Sequence, residues 1–239
     1  FPEMFPAVLG ASILKRAQER GLLQIAAHDL RDYTHDKRRT VDDRPYGGGP
    51  GMLMKPEPIF EAIEDIRRSC GHPQPPSRGS CQTILMSPQG DRLSSPLAQE
   101  LARAVHLTFI CGLFEGGDER VRTALVDRTL SIGDYILTGG ELPAMVLLDC
   151  LARFIPGVIG HEQATSEESF AAGWLEYPQY TRPPVFRQMA VPEVLRGGDH
   201  AQIAQWRKLQ SVARTLASRP DLIKSVQGSR LKVQGNCGE

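Results

Sequence analysis

Three short stretches of the chain combine glycine with a polar, turn-forming context suited to meeting a small ligand through the main chain. They are Ser87-Pro88-Gln89-Gly90, CGLFEGGDER (Cys111–Arg120) and SIGDYILTGGELPAM (Ser131–Met145). Glycine lets a backbone approach a ligand closely and take φ > 0, so N–H and C=O groups would do the recognising. The same glycines also serve as plain turn formers, and the two roles are compatible. A fourth cluster, Gly47-Gly48-Gly49-Pro50-Gly51, lacks the Lys-Ser/Thr that completes a phosphate loop, which argues against an NTPase. No G-x-G-x-x-G joins a strand to a helix, and no G-x-S-x-G or Cys/His arrangement suggests a nucleophile. His35 and His200 sit in polar sequence with no metal-ligand partner at helical spacing and read as ordinary polar or RNA-facing residues. The cysteines (Cys70, Cys81, Cys111, Cys150, Cys237) are odd in number and scattered, without a C-x-x-C pair. Neither a zinc ribbon nor a disulfide frame follows, and a reducing cytoplasm fits best.

The elements that must position these stretches alternate in type. Apolar runs at Thr83–Gly90, at Leu107–Arg120 and around Ser131–Met145 each end in one of the glycine loops. Pro96–Val105 between the first two reads as a helix, and Asp118–Leu125 begins another. Strands alternating with helices predict an α/β fold with a parallel sheet covered on both faces. Ligands bind such sheets beyond the carboxyl ends of the strands, so all three loops are expected at one sheet edge. Upstream, Ser12–Arg20 reads as a short amphipathic helix and Asp32–Met54 as a long polar loop. A helix over Pro58–Cys70 places Ile59, Ile63 and Ile66 at helical spacing, and Gly71–Ser80 reads as a mobile surface loop. Downstream, a helix over Glu141–Phe154 stops at Ile155-Pro156-Gly157. The last helix opens at Asp199, capped with Gln202 three residues on, and ends at Pro220. Ile203, Trp206, Leu209, Ala213 and Leu216 would line its covered face, with Arg207, Lys208 and Arg214 elsewhere.

Composition narrows the class. The 239 residues are 41% hydrophobic, enough for a real core, and no apolar run reaches the length of a membrane span. The opening Phe1-Pro2-Glu3-Met4-Phe5 has no basic and apolar regions of a signal peptide. Without an initiator Met, the numbered chain is expected to begin inside its gene product. Lys plus Arg balances Asp plus Glu at 28 each, but unevenly along the chain. From Thr181 to Gly235 ten basic residues face three acidic ones, whereas His161–Tyr180 holds four acids and no Lys or Arg. A basic tail behind a mixed-charge body suits phosphate attraction, although a solvated helical face would look the same. The expected division is residues 1–160, a linker over 161–173, and a small helical, basic domain over 174–239.

Eight stretches, in order, carry a family resemblance. They are FPEMF at the start, YTHDKRRTVDDRPYGGGPGMLM (Tyr33–Met54), SPQG (Ser87–Gly90), CGLFEGGDERV (Cys111–Val121) and SIGDYILTGGELPAM (Ser131–Met145). The others are RFIPGVIGHE (Arg153–Glu162), YPQYTRP (Tyr177–Pro183) and GDHAQIAQWR (Gly198–Arg207). The chain resembles the bacterial tRNA (guanine-N1)-methyltransferases of the TrmD type, within the SPOUT class of knotted methyltransferases. The resemblance implies an α/β domain with a C-terminal trefoil knot, a rare topology that spacing and composition do not reveal. It also implies a homodimer whose active site combines the two chains, a tRNA anticodon arm as partner, and S-adenosyl-L-methionine as methyl donor. Magnesium is implied by the resemblance alone.

Carried over residue by residue, the donor would meet Ser87, Pro88, Gln89 and Gly90, then Gly112, Glu115 and Gly116. It would also meet Ile132, Gly133, Asp134, Tyr135, Ile136, Leu137, Gly139, Gly140 and Pro143. Asp199, His200, Arg207, Lys208 and Arg214, with the YTHDKRR loop, would hold the RNA. The target implied is the guanosine immediately 3′ of the anticodon, position 37 of tRNA. Its N1 carries a proton at neutral pH, so transfer needs a general base and a cation to stabilise charge on O6. The resemblance assigns the cation to Arg153 and the base to Glu168, where the family has Asp in a D-S-F pattern. The longer Glu keeps the charge one methylene further out, and Glu167 is the alternative base. Phe114 stands where the family usually has Tyr, and the first apolar strand ahead of FPEMF is expected to be missing. Other SPOUT RNA methyltransferases, or a weakly catalytic tRNA-binding relative, would share much of this pattern.

Overall fold

The computed structural model describes residues 1–69, 81–160 and 168–223. Cys70, the Gly71–Ser80 stretch, Glu167, Cys237 and the tail from residue 224 lie outside them. The chain divides into two compact units, Phe1–Gly160 and His161–Glu239. Among the described residues no helix is long and apolar enough to cross a membrane.

The first unit opens with two short helices, α1 (Pro6–Leu9) and α2 (Ser12–Glu19). The stretch read as one polar loop is more ordered than expected. It holds a 3-10 turn at Leu30–Tyr33 and two short antiparallel strands, β1 (Asp42–Asp43) and β2 (Leu53–Met54). The reason is local. Asp36 accepts hydrogen bonds from the Thr40 amide, the Thr40 hydroxyl and the Arg38 amide, closing a tight turn without glycine. Helix α3 (Pro56–Ser69) follows, then β3 (Cys81–Arg92), α4 (Ser95–Leu101), β4 (His106–Cys111), α5 (Glu119–Leu125), β5 (Arg128–Ser131) and α6 (Glu141–Ala152). The helix expected over Pro96–Val105 thus stops at Leu101.

Strands β4, β3 and β5 form a parallel sheet in that order, as the alternation of strand and helix predicts. Side-chain alternation in the sheet assigns its two faces. Ile84, Met86 and Leu130 pack with Ala98 and Leu101 of α4 and with Ala144, Leu147 and Leu151 of α6. Ile110, with Leu85 partly buried beside it, packs on the other side with Ile59 and Ile63 of α3 and with Val121 and Leu125 of α5. Covering each of the larger side chains, the Ile, Leu, Val and Met residues, is worth about 1.5–3 kcal/mol, so the sheet is fixed by helices on both faces. Leu9, Leu14, Ala17, Ala152 and Val158 form a third cluster, in which α1 and α2 pack against the end of α6. Polar groups at the start of β3 are satisfied as well. The Thr83 amide donates to the Asp127 carboxylate at 2.8 Å, and the Asp127 amide returns a bond to the Thr83 carbonyl at 2.9 Å.

Ser87–Gly90 departs from expectation. These residues lie inside β3, not in a loop beyond it. Met86 and Asp91 both face Leu130 of β5, so the four residues between them bulge out of the ladder. Pro88 has no amide proton to contribute, which favours a bulge here. Gly90 closes the bulge so tightly that a β-carbon would lie 2.3 Å from the Thr129 carbonyl carbon and 2.4 Å from the Leu130 nitrogen.

In the second unit, residues 168–176 form a turn, β6 (Val185–Phe186) and β7 (Met189–Ala190) form a hairpin, and α7 spans His200–Ser218. Asp199 caps α7 by accepting from the amides of Ala201 and Gln202, and the Gln202 side chain returns a bond to its carboxylate, as expected. The covered face of α7 keeps only Ile203 and Trp206 of the expected five. Leu209, Ala213 and Leu216 are exposed, whereas Ile203, Trp206, Arg207, Gln210, Ser211 and Thr215 are partly or wholly covered. The hydroxyls of Ser211 and Thr215 bond the Leu175 main chain and so lie on the covered face.

Replacing Gly90 with Ala should lower unfolding stability by at least roughly 1–3 kcal/mol, because backbone atoms cannot yield. Gly160→Ala, whose β-carbon would enter open space, should stay within about 0.5 kcal/mol of the parent. Urea midpoints of the two variants test the bulge geometry; equal midpoints would refute it.

Candidate functional site

The three glycine-bearing segments meet at one edge of the sheet. Strand register brings Met86, which precedes the bulge, beside Cys111 of β4. On its other side Arg92 pairs with Ser131, and the Leu93 amide donates to the Ser131 carbonyl at 2.8 Å. The second and third segments are bonded directly. The Gly140 amide donates to the Gly112 carbonyl at 2.7 Å, and Leu113 bridges Gly139 in antiparallel fashion. A β-carbon on Gly140 would lie 2.7 Å from the Cys111 Cα, so only glycine permits this approach.

The third segment is folded on itself. The Ser131 hydroxyl donates to the Gly133 carbonyl at 3.0 Å and accepts from the Gly133 amide at 3.2 Å. The Tyr135 amide reaches the Gly133 carbonyl at 3.0 Å, while Tyr135, Ile136 and Leu137 remain exposed. The second segment is tied to β2. Amides of Glu115 and Asp118 donate to the carbonyls of Met52 and Met54, the Met54 amide donates to the Gly116 carbonyl, and the Leu113 amide points at the Met54 sulfur. Tyr33–Met54 therefore supports the site through backbone bonds at its downstream end, a role its polarity did not signal.

Charge around the site is ordered by local partners. A hydrogen bond from the Arg120 side chain holds the Asp118 carboxyl below the usual carboxylate range, while its Oδ1 caps α5 through the Arg120 amide. Glu141, in the first turn of α6, is buried at 6% exposure, with its carboxylate against Gly139. Sequence reading passed over Glu141; its only signal was an acid directly after two glycines at a helix start. Arg153 caps the end of α6 and is half-buried. Its charge favours the thiolate of Cys150, although burial dominates and raises that thiol. Phe114 takes a left-handed φ of 58° and is about half exposed, so its ring is not a core element.

In the second unit, Glu168 begins a hydrogen-bonded turn. Its carbonyl accepts from the Ala171 amide at 3.1 Å, Gly173 donates to Phe170, and Phe170 donates to Trp174. The turn is compact because Phe170 and Gly173 take positive φ and reverse the chain. Asp199, His200, Lys208 and Arg214 are exposed along α7. Arg207 is partly covered, with its guanidinium 4.7 Å from the Tyr177 ring centre. His35 faces the Glu61 carboxylate at 2.8 Å. Among the described residues no group of three His, Cys, Asp or Glu could hold a metal ion.

The loops form a cradle of main-chain groups with three positive-φ residues, Phe114, Gly116 and Gly133. Such a cradle can hold a small ligand by backbone bonds and leave the chemistry to residues outside it. Comparison with known proteins narrows that chemistry. The family described as tRNA (Guanine-1)-methyltransferase TrmD matches residues 1–225. The chain is similar to the tRNA (guanine-N(1)-)-methyltransferase of Moorella thermoacetica, with 54% identity over 95% of this chain and 88% of that protein. It is similar to the enzymes of the same name from Staphylococcus haemolyticus (51%, covering 93% of this chain and 87% of that protein) and Dehalococcoides mccartyi (49%, covering 96% and 90%).

Burial, with the Glu141 charge adding to it, pushes the Cys111 thiol up to about 12. An unfolded thiol ionises near 8.5. The folded chain thus keeps a neutral thiol, and this contribution to stability is complete below about pH 8.5 and lost as pH rises towards 12. Alkylation at pH 8, read by peptide mapping, should leave Cys111 unmodified in the folded protein and modify it rapidly in urea. Rapid labelling of Cys111 without denaturant would contradict the packed cradle.

Proposed function

The chain belongs to the tRNA (guanine-1)-methyltransferase family, and from that premise we propose that it methylates N1 of the guanosine immediately 3′ of the anticodon in tRNA, using S-adenosylmethionine. The observation that carries this reading is the convergence of the three loops at one sheet edge, in a chain matched by the family from residue 1 to 225. The cradle suits the donor: at Gly90 and Gly140 backbone packs on backbone with no room for a β-carbon, while Gly116 opens onto free space. Ser87–Gly90, Gly112, Glu115, Gly116 and the Ile132–Gly140 segment, with Pro143, are assigned to hold it. We also assign the segment that follows β5 to the family's trefoil knot. The Gly140–Gly112 and Leu113–Gly139 bonds, which seat that segment against the chain between β4 and α5, support this.

Bound there, the donor supplies a methyl group on a positively charged sulfur, which needs no acid to leave as a thioether. The residues of the chain act on the acceptor. Glu168 takes the proton from guanine N1, freeing an electron pair that forms the new N–CH3 bond as the S–CH3 bond breaks. Arg153, permanently cationic, stabilises the negative charge that gathers on O6. Asp199, His200, Arg207, Lys208 and Arg214 are assigned to the RNA, with Lys208 and Arg214 the more exposed cations. Arg207 joins them through whatever its stack on Tyr177 leaves available.

A homodimer completes this reading. Helix α6 is apolar around most of its circumference, and Leu142 and Val146, one turn apart, are each 48% exposed. With Phe114, Ile136 and Leu137 exposed on the adjoining loops, they form an apolar surface suited to a second copy. In such a dimer the donor cradle of one chain would work with Glu168 of the other.

Methyl transfer from labelled donor to unmodified tRNA should yield N1-methylguanosine. Activity should fall at least about 100-fold in Glu168→Ala, as for loss of a general base, and be kept or raised in Glu168→Asp. Wild-type rates in the Ala variant would remove Glu168 from the mechanism and direct attention to Glu167. Methylation of ribose or another base would favour a different SPOUT activity, and donor binding without transfer would favour a binding protein. Mixing Gly140→Ala with Glu168→Ala chains should restore part of the activity if sites are shared; no recovery in verified heterodimers would refute sharing.

A further inference from the structure

Leu175 lies outside any strand, and its main chain bonds to helix α7. Its amide donates to the Thr215 hydroxyl at 2.9 Å, and its carbonyl accepts from the Ser211 hydroxyl. Thr215 is fully buried at 0% exposure, and its hydroxyl also donates to the Ser211 carbonyl at 2.7 Å, so both roles of that one oxygen are used. The residues on either side of Leu175 hold the turn that begins at Glu168. The Trp174 carbonyl accepts from the Phe170 amide at 2.8 Å, and the Glu176 amide donates to the Ser169 hydroxyl at 3.0 Å. At the far end of α7, Arg219 lies 5.9 Å from the Phe170 ring centre, a second tie between the helix and the turn.

We propose that Thr215, with Ser211, is a positioning residue for methyl transfer, its hydroxyl pinning Leu175 to α7 and thereby fixing the turn that carries Glu168. The inference rests on the reading of Glu168 as the base. A carboxylate must stand within hydrogen-bond reach of the proton it takes, and misplacement by about 1 Å can cost on the order of 100-fold in rate. Glu168 opens that turn, its carbonyl bonded to the Ala171 amide, so a shift of the turn shifts the backbone that carries the carboxylate. A threonine serving only to fill space would be replaced by valine with little change, since the two have nearly the same volume. A threonine serving through its hydroxyl would be replaced by serine and not by valine.

The experiment measures methyl transfer to tRNA at saturating donor and RNA for Thr215→Val, Thr215→Ser, Ser211→Ala and Glu168→Gln, and for Glu168→Gln combined with each of the first and third. Thr215→Val should lower kcat about 10- to 100-fold with KM for the donor within about twofold. Thr215→Ser should recover most of the loss. In the Glu168→Gln background Thr215→Val should add less than about twofold, because the group it positions is already gone. Full multiplication of the two losses, an unchanged kcat in Thr215→Val, or failure of Ser to rescue would each overturn the inference. Should circular dichroism show Thr215→Val unfolded, Ser211→Ala and its Glu168→Gln double variant decide by the same criterion. Wild-type kcat in Glu168→Gln would instead overturn the assignment of the base, and this inference with it.

Discussion

The parallel pairing of β3 with β4 on one side and β5 on the other is the constraint from which the first unit follows. Parallel strands end together, so the chain leaves all three at the same edge and its unpaired amides and carbonyls gather there. Main-chain polar groups shielded from water need partners. Here many find them in one another: Gly140 with Gly112, Leu113 with Gly139, Leu93 with Ser131, and Gly116 with Met54. At Gly140 the contact draws backbones closer than a β-carbon allows, and at Gly116 the chain turns through positive φ. Glycine is therefore required at Gly90 and Gly140 on steric grounds, before any ligand is considered. A surface of converging, partly unused main-chain groups is the consequence, and it suits a ligand recognised through its edges.

The helices that cover the sheet serve this edge as well as the core. Helix α6 begins at Gly140, immediately after the third loop, and buries Ala144, Leu147 and Leu151 against Ile84 and Leu130. Its other end carries Arg153, one helix length from the loops. The same element thus anchors the cradle and presents the cation assigned to O6. Its exposed apolar residues are the part of its surface that the first unit leaves uncovered. In the second unit a comparable economy holds. Helix α7 presents Lys208 and Arg214 outward while the hydroxyls of Ser211 and Thr215 bond the main chain of Leu175.

The alternation of apolar runs and helical patterns made the parallel sheet, its two covered faces and the gathering of glycine loops legible in the sequence. Periodicity reports which residues are covered, and parallel connectivity dictates where loops go. What was not legible depended on bonds between distant residues. Ser87–Gly90 reads as a loop from its residue types, yet the ladder resumes at Asp91 because β5 is there to pair with it. The covered face of α7 was misread because apolar spacing favoured Leu209 and Leu216. Ser211, half-buried, and Thr215, fully buried, pair through their hydroxyls with Leu175 roughly 40 positions away, and apolar spacing carries no sign of that. Glu141 went unnoticed because an acid in a first helical turn is ordinary, and only its burial makes it unusual.

The sequence by itself determined the family, the α/β class, the three candidate donor loops, and Arg153 and Glu168 as candidates for the chemistry. These rest on residue types and order, which tertiary structure does not alter. The tertiary structure decided that the first loop is a bulge within a strand, that Gly90 and Gly140 admit no side chain, and that Glu168 opens a closed turn tied to α7. Each of these is a matter of hydrogen-bond partners far apart in the chain. A backbone donor or acceptor carries no mark in the sequence of which partner it will find, and only the folded arrangement supplies it.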